Sequence, residues 1–388
     1  MKILLVTPFD FGHAGGVNEH VMQLDRQFQR MGHDTRILAS ASPDTGETDD
    51  GHLYQLGMSI PLKINGSTSR ITLSPSVTWR VRQFLQSQRF DVIHFHEPMT
   101  PMLPLGVLLH SKTVNVGTFH AARPTNALYH YTKAILDMFF QKLDARIAVS
   151  EAAREFIDSY FPAEYDIVPN GISLDQFMPH AAPLPELCDG RRNILFVGRY
   201  SESRKGFRYL VRAMPRIRSV FPDARLVVVG QGDPSKYQRF LEQNGVADTI
   251  FAGYVEQHML PRYYASCDVF CAPSTGRESF GLILLEALAT GKPVVAGANA
   301  GYSAVIRNGI DGLLVEPKDD QGLALAIVRV LADTELRERL RVNGLERVKQ
   351  FSWDVVAEQV MQVYERATAI SAAGPIPRAW PLDLAGRQ

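Results

Sequence analysis

The sequence is poor in cysteine, and this shortage excludes two kinds of site. Three cysteines in 388 residues are too few for a disulfide framework. Cys267 and Cys271 lie close together, but no second cysteine pair or histidine cluster accompanies them to complete a zinc site. We therefore expect both to be buried residues of the fold.

Net charge and long apolar runs are lacking as well. Lys and Arg together number 41, as do Asp and Glu, so the charge gives no indication of a nucleic-acid partner and we expect none. No apolar run reaches the length that spans a bilayer. The run at residues 3–6 is too short for a signal peptide. We expect a cytoplasmic protein that is at most peripheral on the inner face of the cell membrane.

What the sequence does contain is a repeated strand–helix pattern of the α/β class. Residues 3–6 are continuously apolar, as in a parallel strand that is buried on both faces. Further strands are predicted at 35–38, 92–95, 114–118, 146–149, 194–197, 226–229, 250–251, 269–272, 294–296 and 313–315. With 388 residues the chain is long enough for two domains.

The grouping of these strands places the domain boundaries. We predict Rossmann-like parallel-sheet domains at 1–172 and 190–350, joined by a linker, because four prolines fall in 169–185. Apolar residues at helical spacing predict a final helix at about 353–370. Residues 374–388 contain three prolines and are predicted to form a loosely ordered tail.

The segment from Glu278 to Glu286 joins a predicted strand to a predicted helix through a polar loop. The first amides of a helix have no internal partner and its dipole is positive there, so an anion can bind. Two carboxylates beside such a site suit a ligand that is anionic at one end and rich in hydroxyls elsewhere, such as a sugar nucleotide. By spacing alone, the commoner interpretation is that Glu286 is a surface residue of an amphipathic helix.

Basic residues near a second strand end indicate the same chemistry. Arg199 follows the predicted strand 194–197 and Lys205 precedes a helix, so the two cations are well placed for a diphosphate. Basic residues on a protein surface are more often simply solvated, and that is the alternative.

The first domain has candidate site residues after its strands. Gly15 and Gly16 follow the first strand, where adjacent glycines let the backbone approach a ligand closely. His120 follows the strand 114–118, at the edge where open α/β sheets bind ligands, and a structural histidine is the alternative. His94 and His96 share one face of a strand, and we expect no metal there because the sequence shows no further ligands.

Residues 51–90 contain five lysines and arginines but no Asp or Glu. Part of this stretch has helical spacing, with an apolar stripe formed by Val77, Val81, Phe84 and Leu85. The opposite face carries Trp79 and Arg82. A basic helix with an exposed tryptophan is typical of a contact with anionic lipid, and an ordinary solvated face is the alternative.

Several short motifs are distributed along nearly the whole chain. They are Gly15-Gly16-Val17, Asn65-Gly66-Ser67, His94-Phe95-His96-Glu97-Pro98, Thr118-Phe119-His120, Gly198-Arg199-Tyr200, Arg204-Lys205-Gly206 and Glu278-Ser279-Phe280-Gly281. Together they resemble the retaining glycosyltransferases of family 4, which have the two-domain GT-B fold. The resemblance extends to about residue 368. It implies that two Rossmann-like domains face each other across a cleft and that the C-terminal helix crosses back to the N-terminal domain.

The resemblance also implies an activity. Within family 4 the sequence is most similar to enzymes that transfer mannose from GDP-mannose to phosphatidylinositol. We therefore expect a hexosyltransferase whose partners are a nucleotide sugar, with GDP-mannose favoured, a lipid acceptor and an anionic membrane surface. The alternatives are a UDP-sugar donor, another lipid or a soluble acceptor, or a non-catalytic module that binds a nucleotide sugar.

Roles for individual residues follow from the same resemblance. The catalytic residues would be His120, Arg199, Lys205 and Glu278. The donor would be bound by Gly16, Arg199, Lys205, Gly281 and Glu286, with the two cations on its diphosphate and Glu286 on its ribose. The acceptor would be bound by Gly15, Asn18, Asn65, Arg70 and His120. The membrane would be contacted by Trp79, Arg80 and Arg82. Because no Asp-x-Asp motif lies beside the donor site, we expect no cofactor and no essential metal.

Overall fold

The computed structural model describes residues 1–13, 15–44, 46–64, 67–122 and 127–373. The chain divides into two compact units, one formed by residues 1–169 with the chain from Val356 onward, the other by Asn170–Val355. Asn65 and the predicted tail 374–388 lie outside the described residues.

The first unit is built on a sheet that contains eight strands within the described residues. The strands are β1 Lys2–Asp10, β2 Asp34–Ala41, β3 Leu53–Ile64, β4 Ser67–Thr72, β5 Val92–His96, β6 Val114–Phe119, β7 Ala145–Ala148 and β8 Asp166–Ile167. The helices are α1 Gly16–Arg30, α2 Ser76–Ser87, α3 Leu103–His110, α4 Ala127–Phe140 and α5 Glu151–Asp158. Their order in the sheet is β2-β3-β4-β1-β5-β6-β7-β8, with a further pairing of β1 and β2.

Most strand pairs of this sheet are parallel, as predicted, and β4 is the exception. It runs antiparallel to β3 and to β1. No strand is predicted for β3 because Gly57 and Pro61 interrupt its apolar pattern. Gly57 has φ +74°, and a Cβ on it would lie 2.2 Å from Val77 Cγ2, so only glycine fits where α2 packs on β3.

The second unit has an entirely parallel sheet in the order β11-β10-β9-β12-β13-β14. Its strands are β9 Asn193–Val197, β10 Arg225–Val229, β11 Ile250–Gly253, β12 Val269–Ala272, β13 Val294–Gly297 and β14 Leu313–Val315. Its helices are α6 Phe207–Val220, α7 Ser235–Gln243, α8 Leu260–Ala265, α9 Leu282–Ala289, α10 Ala300–Ser303, α11 Asp320–Ala332 and α12 Thr334–Val348. This is the strand order of a Rossmann fold.

Continuous apolar strands are explained by burial on both faces of this sheet. Ile194 and Phe196 of β9 belong to the core against α6 and α11, whereas Leu195 and Val197 belong to the core against α9. Cys271 on β12 is fully buried, as predicted, and burial raises the pKa of its thiol. The order of connections reverses between β9 and β12, so the carboxyl ends of these two strands open a crevice for a ligand.

The last helix, α13 Trp353–Ala373, begins in the second unit and continues in the first. Tyr364 on it is buried in the first unit, where its hydroxyl lies 2.7 Å from Nδ1 of His94. The predicted linker packs within the second unit: Ile172 N donates to Phe351 O at 2.8 Å, and Leu184 is buried. Hydrogen bonds and burial thus hold this proline-rich stretch in place.

Candidate active site

The crevice between β9 and β12 is lined by two loops that pass very close to each other. Gly206 ends the turn after β9 with φ +72°, and a Cβ on it would lie 1.8 Å from the carbonyl oxygen of Pro273 after β12. Thr275 N donates to Arg204 O at 2.8 Å across the same contact. Glycine at 206 is therefore required for Lys205 to reach the loop that carries Glu278.

Five charged side chains from these loops form one connected network. Arg199 lies 2.8 Å from Oε1 of Glu202, whose Oε2 lies 2.8 Å from Arg204. Arg204 and Lys205 each lie 2.9 Å from Oε1 of Glu278. Three cations and two carboxylates leave a formal charge of +1, and Arg199 is 44% exposed at the edge of the network. The network can therefore attract an anion and exchange ion pairs with it.

The loop that carries Glu278 is held in a defined conformation. Ser274 Oγ lies 3.0 Å from Oε1 of Glu278 and 3.0 Å from the carbonyl oxygen of Arg204, so its one hydroxyl hydrogen can donate to either. Arg277, just before Glu278, has φ +61°, a left-handed conformation that costs a non-glycine residue about 1–2 kcal/mol. A Cβ on Gly301 would lie 2.1 Å from Glu278 O. Strain and close packing of this kind are frequent at ligand sites.

Glu286, the second carboxylate of the predicted motif, lies on α9 within the same unit. Its Oε2 accepts a hydrogen bond of 2.7 Å from the hydroxyl of buried Tyr264. Burial raises the pKa of Glu286 to about 7, and the Tyr264 hydroxyl opposes part of that rise. Gly281 is the N-cap residue of α9, where a Cβ would lie 3.0 Å from Tyr302. Among the described side chains, no hydrogen bond or ion pair joins Glu286 to the five-residue network.

In the first unit, Gly15 and Gly16 lie at the start of α1. A Cβ on either residue would meet no described atom within 4 Å, so packing within the protein does not require glycine here. Asn18 is buried, and its Nδ2 donates to Asp10 O at 2.8 Å and to His13 O at 3.2 Å. In this structure Asn18 thus holds the loop that leads to the two glycines.

His120 lies directly after β6 and is half-buried. Its backbone N donates to Oε1 of Glu97 at 2.8 Å, and its Nε2 lies 3.1 Å from Nδ1 of His96. His20 on α1 contacts both rings, with centroids 5.2 Å from His96 and 4.8 Å from His120. The sequence shows no further ligands beside His94 and His96, but the fold brings His20 of α1 and His120 close to His96.

Both halves of the chain match models of known protein families. The model described as Glycosyltransferase Family 4 matches residues 14–176, and that described as Glycosyl transferases group 1 matches residues 191–333. A phosphatidyl-myo-inositol mannosyltransferase of Mycobacterium leprae (strain TN) is 37% identical over 368 residues, which cover 94% of this chain and 96% of the relative. The chain belongs to glycosyltransferase family 4.

A second relative agrees with this assignment, and a solved structure has the same fold. A phosphatidyl-myo-inositol mannosyltransferase of Mycolicibacterium smegmatis is 35% identical over 380 residues, 96% of this chain and 95% of the relative. The solved structure of sucrose-phosphate synthase from Thermosynechococcus elongatus has a TM-score of 0.75 at 23% identity and covers 95% of this chain and 100% of its own. The predicted fold class and the prediction of a hexosyltransferase are confirmed.

Two residues of the network in this family 4 glycosyltransferase are not predicted as site residues from the sequence. Glu202 and Arg204 link Arg199 to Glu278 through ion pairs. The pairing of Arg199 with Glu202, at positions i and i+3, has a local signal in the sequence. The pairing of Arg204 with Glu278 spans 74 residues, so only the fold reveals it.

The raised pKa of Glu286 in this glycosyltransferase predicts a pH-dependent stability. Its folded pKa of about 7 lies above its usual 4.5, so the folded state binds a proton more tightly than the unfolded state. Stabilisation by the protonated form is complete below about pH 4.5 and is lost as the pH rises through 7. We expect the free energy of unfolding of Glu286→Gln to rise relative to wild type by on the order of 2–3 kcal/mol from pH 5 to pH 8.

Denaturant unfolding at both pH values measures this difference, with exposed Glu242→Gln as the control. A difference between Glu286→Gln and wild type that is the same at pH 5 and pH 8 would show that Glu286 titrates normally.

Helix α2 of the glycosyltransferase presents the polar face that the sequence predicts. Trp79 is 62% exposed, Arg82 is exposed, and Val77 and Val81 are fully buried. Arg80 is half-buried and ion-paired with Glu47, which lies outside the stretch that lacks acidic residues. The Arg80 guanidinium lowers the pKa of Glu47, so a carboxylate balances the charge of Arg80. Arg80 therefore adds less positive potential to this face than its charge alone would.

The remaining predicted acceptor residue, Arg70, is half-buried on β4 and pairs with Pro61 of β3. Among the described residues, no helix has the length and apolar character that crossing a bilayer requires.

Proposed function

We propose that this glycosyltransferase transfers mannose from GDP-mannose to phosphatidylinositol at a membrane surface, with retention of configuration. The observation that carries the proposal is the network of Arg199, Glu202, Arg204, Lys205 and Glu278 at the switch point of a Rossmann sheet. The names of the mycobacterial relatives supply the choice of sugar and acceptor.

The network offers an electrostatic route to bond cleavage. When the bond between mannose and GDP breaks, negative charge grows on the β-phosphate. Arg199 and Lys205 can stabilise this charge, and an interaction that strengthens as the bond breaks accelerates the reaction. In the retaining reaction that we propose, the departing phosphate oxygen accepts the proton of the attacking inositol hydroxyl on the same face of the sugar.

Glu278 and Glu286 suit the hydroxyl groups of the donor. Glu278 is held by Arg204 and Lys205, and a carboxylate in this position can also accept hydrogen bonds from sugar hydroxyls. Both cations and Ser274 contact Oε1, so Oε2 is the oxygen of Glu278 that can accept from a sugar hydroxyl. Glu286 is assigned to the ribose hydroxyls. Its Oε2 already accepts a hydrogen bond from the hydroxyl of Tyr264.

Transfer is expected to be independent of divalent metal ions, since guanidinium and ammonium groups perform the charge stabilisation that Mg²⁺ supplies in other enzymes. The rate in excess EDTA should be at least about half of that with added Mg²⁺. Initial rates with and without chelator provide the measurement. Activity that disappears on chelation and returns only with Mg²⁺ or Mn²⁺ would contradict this part of the mechanism.

The exposed face of α2 is proposed to bind anionic lipid. Each arginine near such a surface contributes about 1 kcal/mol, and Trp79 can add an interfacial anchor. We expect binding to vesicles that contain anionic lipid, weakened by salt, and none to neutral vesicles. Changing both Trp79→Ser and Arg82→Ser should lower the vesicle-bound fraction in co-sedimentation without changing affinity for GDP.

The matched control for this test lies in the second unit. Tyr254 is 68% exposed and Arg239 is exposed, so the double change Tyr254→Ser and Arg239→Ser removes the same kinds of group elsewhere. If the α2 variant sediments with anionic vesicles as well as this control does, then α2 is not the membrane contact.

A transfer assay with matched panels tests the proposed activity itself. Purified enzyme is given labelled GDP-mannose, UDP-glucose or UDP-N-acetylglucosamine, each with vesicles of phosphatidylinositol, vesicles of phosphatidylglycerol, or free inositol. We expect labelled glycolipid chiefly from GDP-mannose with phosphatidylinositol, and an α-linked product by NMR. Faster transfer from a UDP-sugar, or to free inositol, would overturn the assignment of donor or acceptor.

A further inference from the structure

Three histidines from separate elements of the first unit converge outside the charged network. His20 lies on α1, His96 ends β5, and His120 follows β6. One ring nitrogen of each lies within 4.8 Å of one ring nitrogen of the other two. His20 and His96 are buried and His120 is half-buried, so the cluster is shielded on most sides but accessible at His120.

A buried ring nitrogen without a hydrogen-bond partner suits the cluster to a metal ion, because a metal binds imidazole through a nitrogen lone pair. Nε2 of His96 is buried and has no hydrogen-bond partner among the described residues. The other buried histidine on this strand differs, because both nitrogens of His94 have partners, Thr118 and Tyr364.

We propose that His20, His96 and His120 form a binding site for a borderline transition-metal ion such as Zn²⁺, with an open fourth position. Three imidazoles and one exchangeable ligand are a common zinc coordination. With Zn–N bonds of about 2.0–2.1 Å, tetrahedral ligand nitrogens lie roughly 3.4 Å apart. One nitrogen of each ring lies within 4.8 Å of the other two, so side-chain rotations would bring all three to that separation around an ion. Mg²⁺ prefers oxygen ligands and is not expected to bind here.

Occupancy of this site has a consequence for catalysis, and this consequence rests on the proposed function. His120 is the ligand that we also assign to the acceptor. An imidazole nitrogen bound to Zn²⁺ cannot hydrogen-bond an inositol hydroxyl, so the metal should inhibit transfer. Inhibition by Zn²⁺ and independence from Mg²⁺ are compatible, because the two ions prefer different ligands.

Metal binding is measured first, without donor or acceptor. The protein is tag-free and carries Cys188→Ser, which removes its exposed thiol as a competing ligand. Calorimetry should show one Zn²⁺ per chain, and Co²⁺ should give the intense visible absorption of a four-coordinate ion. His20→Gln and His96→Gln should each weaken Zn²⁺ binding at least about tenfold. His258→Gln, at a residue with an exposed side chain, should leave it unchanged.

The outcomes separate this site from the proposed function. Circular dichroism tests whether each variant is folded. The Co²⁺ spectrum of the Cys188→Ser protein tests the site without any histidine variant. Absence of stoichiometric Zn²⁺ binding, or binding that both glutamine variants retain at full affinity, would overturn the site. In the Cys188→Ser protein, transfer should be slower with Zn²⁺ than without it. In His20→Gln, the two rates should be nearly equal. Stoichiometric binding without any loss of transfer would keep the site and overturn its inhibitory effect.

Discussion

Replacing Lys205 by alanine is expected to lower the turnover number by about 30- to 1000-fold, the loss that corresponds to 2–4 kcal/mol of transition-state stabilisation. The ammonium group of Lys205 lies 2.9 Å from Glu278 at the end of the crevice, where the β-phosphate of the donor is assigned. The fold should survive, because Glu278 retains its ion pair with Arg204 at 2.9 Å.

The control for this change is Lys236→Ala, which removes an exposed lysine on α7 of the same unit. Initial-rate kinetics should show the loss for Lys205→Ala mainly in kcat, because the charge on the β-phosphate grows as the bond breaks. A folded Lys205→Ala enzyme with the turnover of Lys236→Ala would end the assignment of this residue to the diphosphate.

Replacing Glu278 by glutamine is expected to reduce transfer about 10- to 100-fold, the range for loss of hydrogen bonds to a charged group. Glutamine keeps the shape of the side chain but loses the charge that orients Arg204 and Lys205 and accepts from the sugar. Without the competing carboxylate, both cations are freer to bind a diphosphate. We therefore expect GDP alone to bind at least as tightly to Glu278→Gln as to wild type.

A thermal-shift titration with GDP and a transfer assay provide the two measurements, with Glu242→Gln as the matched control. Weak transfer with intact GDP binding would locate the role of Glu278 in the sugar and its orientation. Wild-type transfer in Glu278→Gln would show that the carboxylate has no part in the reaction.

Much of the fold was predictable because strands buried on both faces leave a continuous apolar signal. The predicted strand 269–272 coincides with β12, and 194–197 differs from β9 by one residue. The polar face of α2 was also predictable, since a helix repeats every 3.6 residues and Trp79 falls opposite Val77 and Val81. In each case the information lies within one short segment.

The β3–β4 hairpin was not predictable in this way. Gly57 and Pro61 interrupt the apolar pattern of β3. Glycine at position 57 is explained only by the fold, because a Cβ there would lie 2.2 Å from Cγ2 of Val77 on α2. The packing of α2 on β3 outweighs the local preference of glycine and proline for a turn. The ion pair of Arg80 was not predictable for a similar reason, since its partner Glu47 lies outside the basic stretch.

The sequence by itself determined which residues carry charge, where strands end and where glycine occurs, and so it identified Arg199, Lys205, Glu278 and His120 as candidates. Only the tertiary structure decided their partners. Arg204 reaches Glu278 across 74 residues, and His20 meets His120 through the packing of α1 near the carboxyl ends of β5 and β6. The physical reason is that ion pairs and ring contacts depend on distances of a few ångströms between segments far apart in the chain. Such distances are set when helices pack on the two faces of each sheet, and no periodicity along the sequence predicts them.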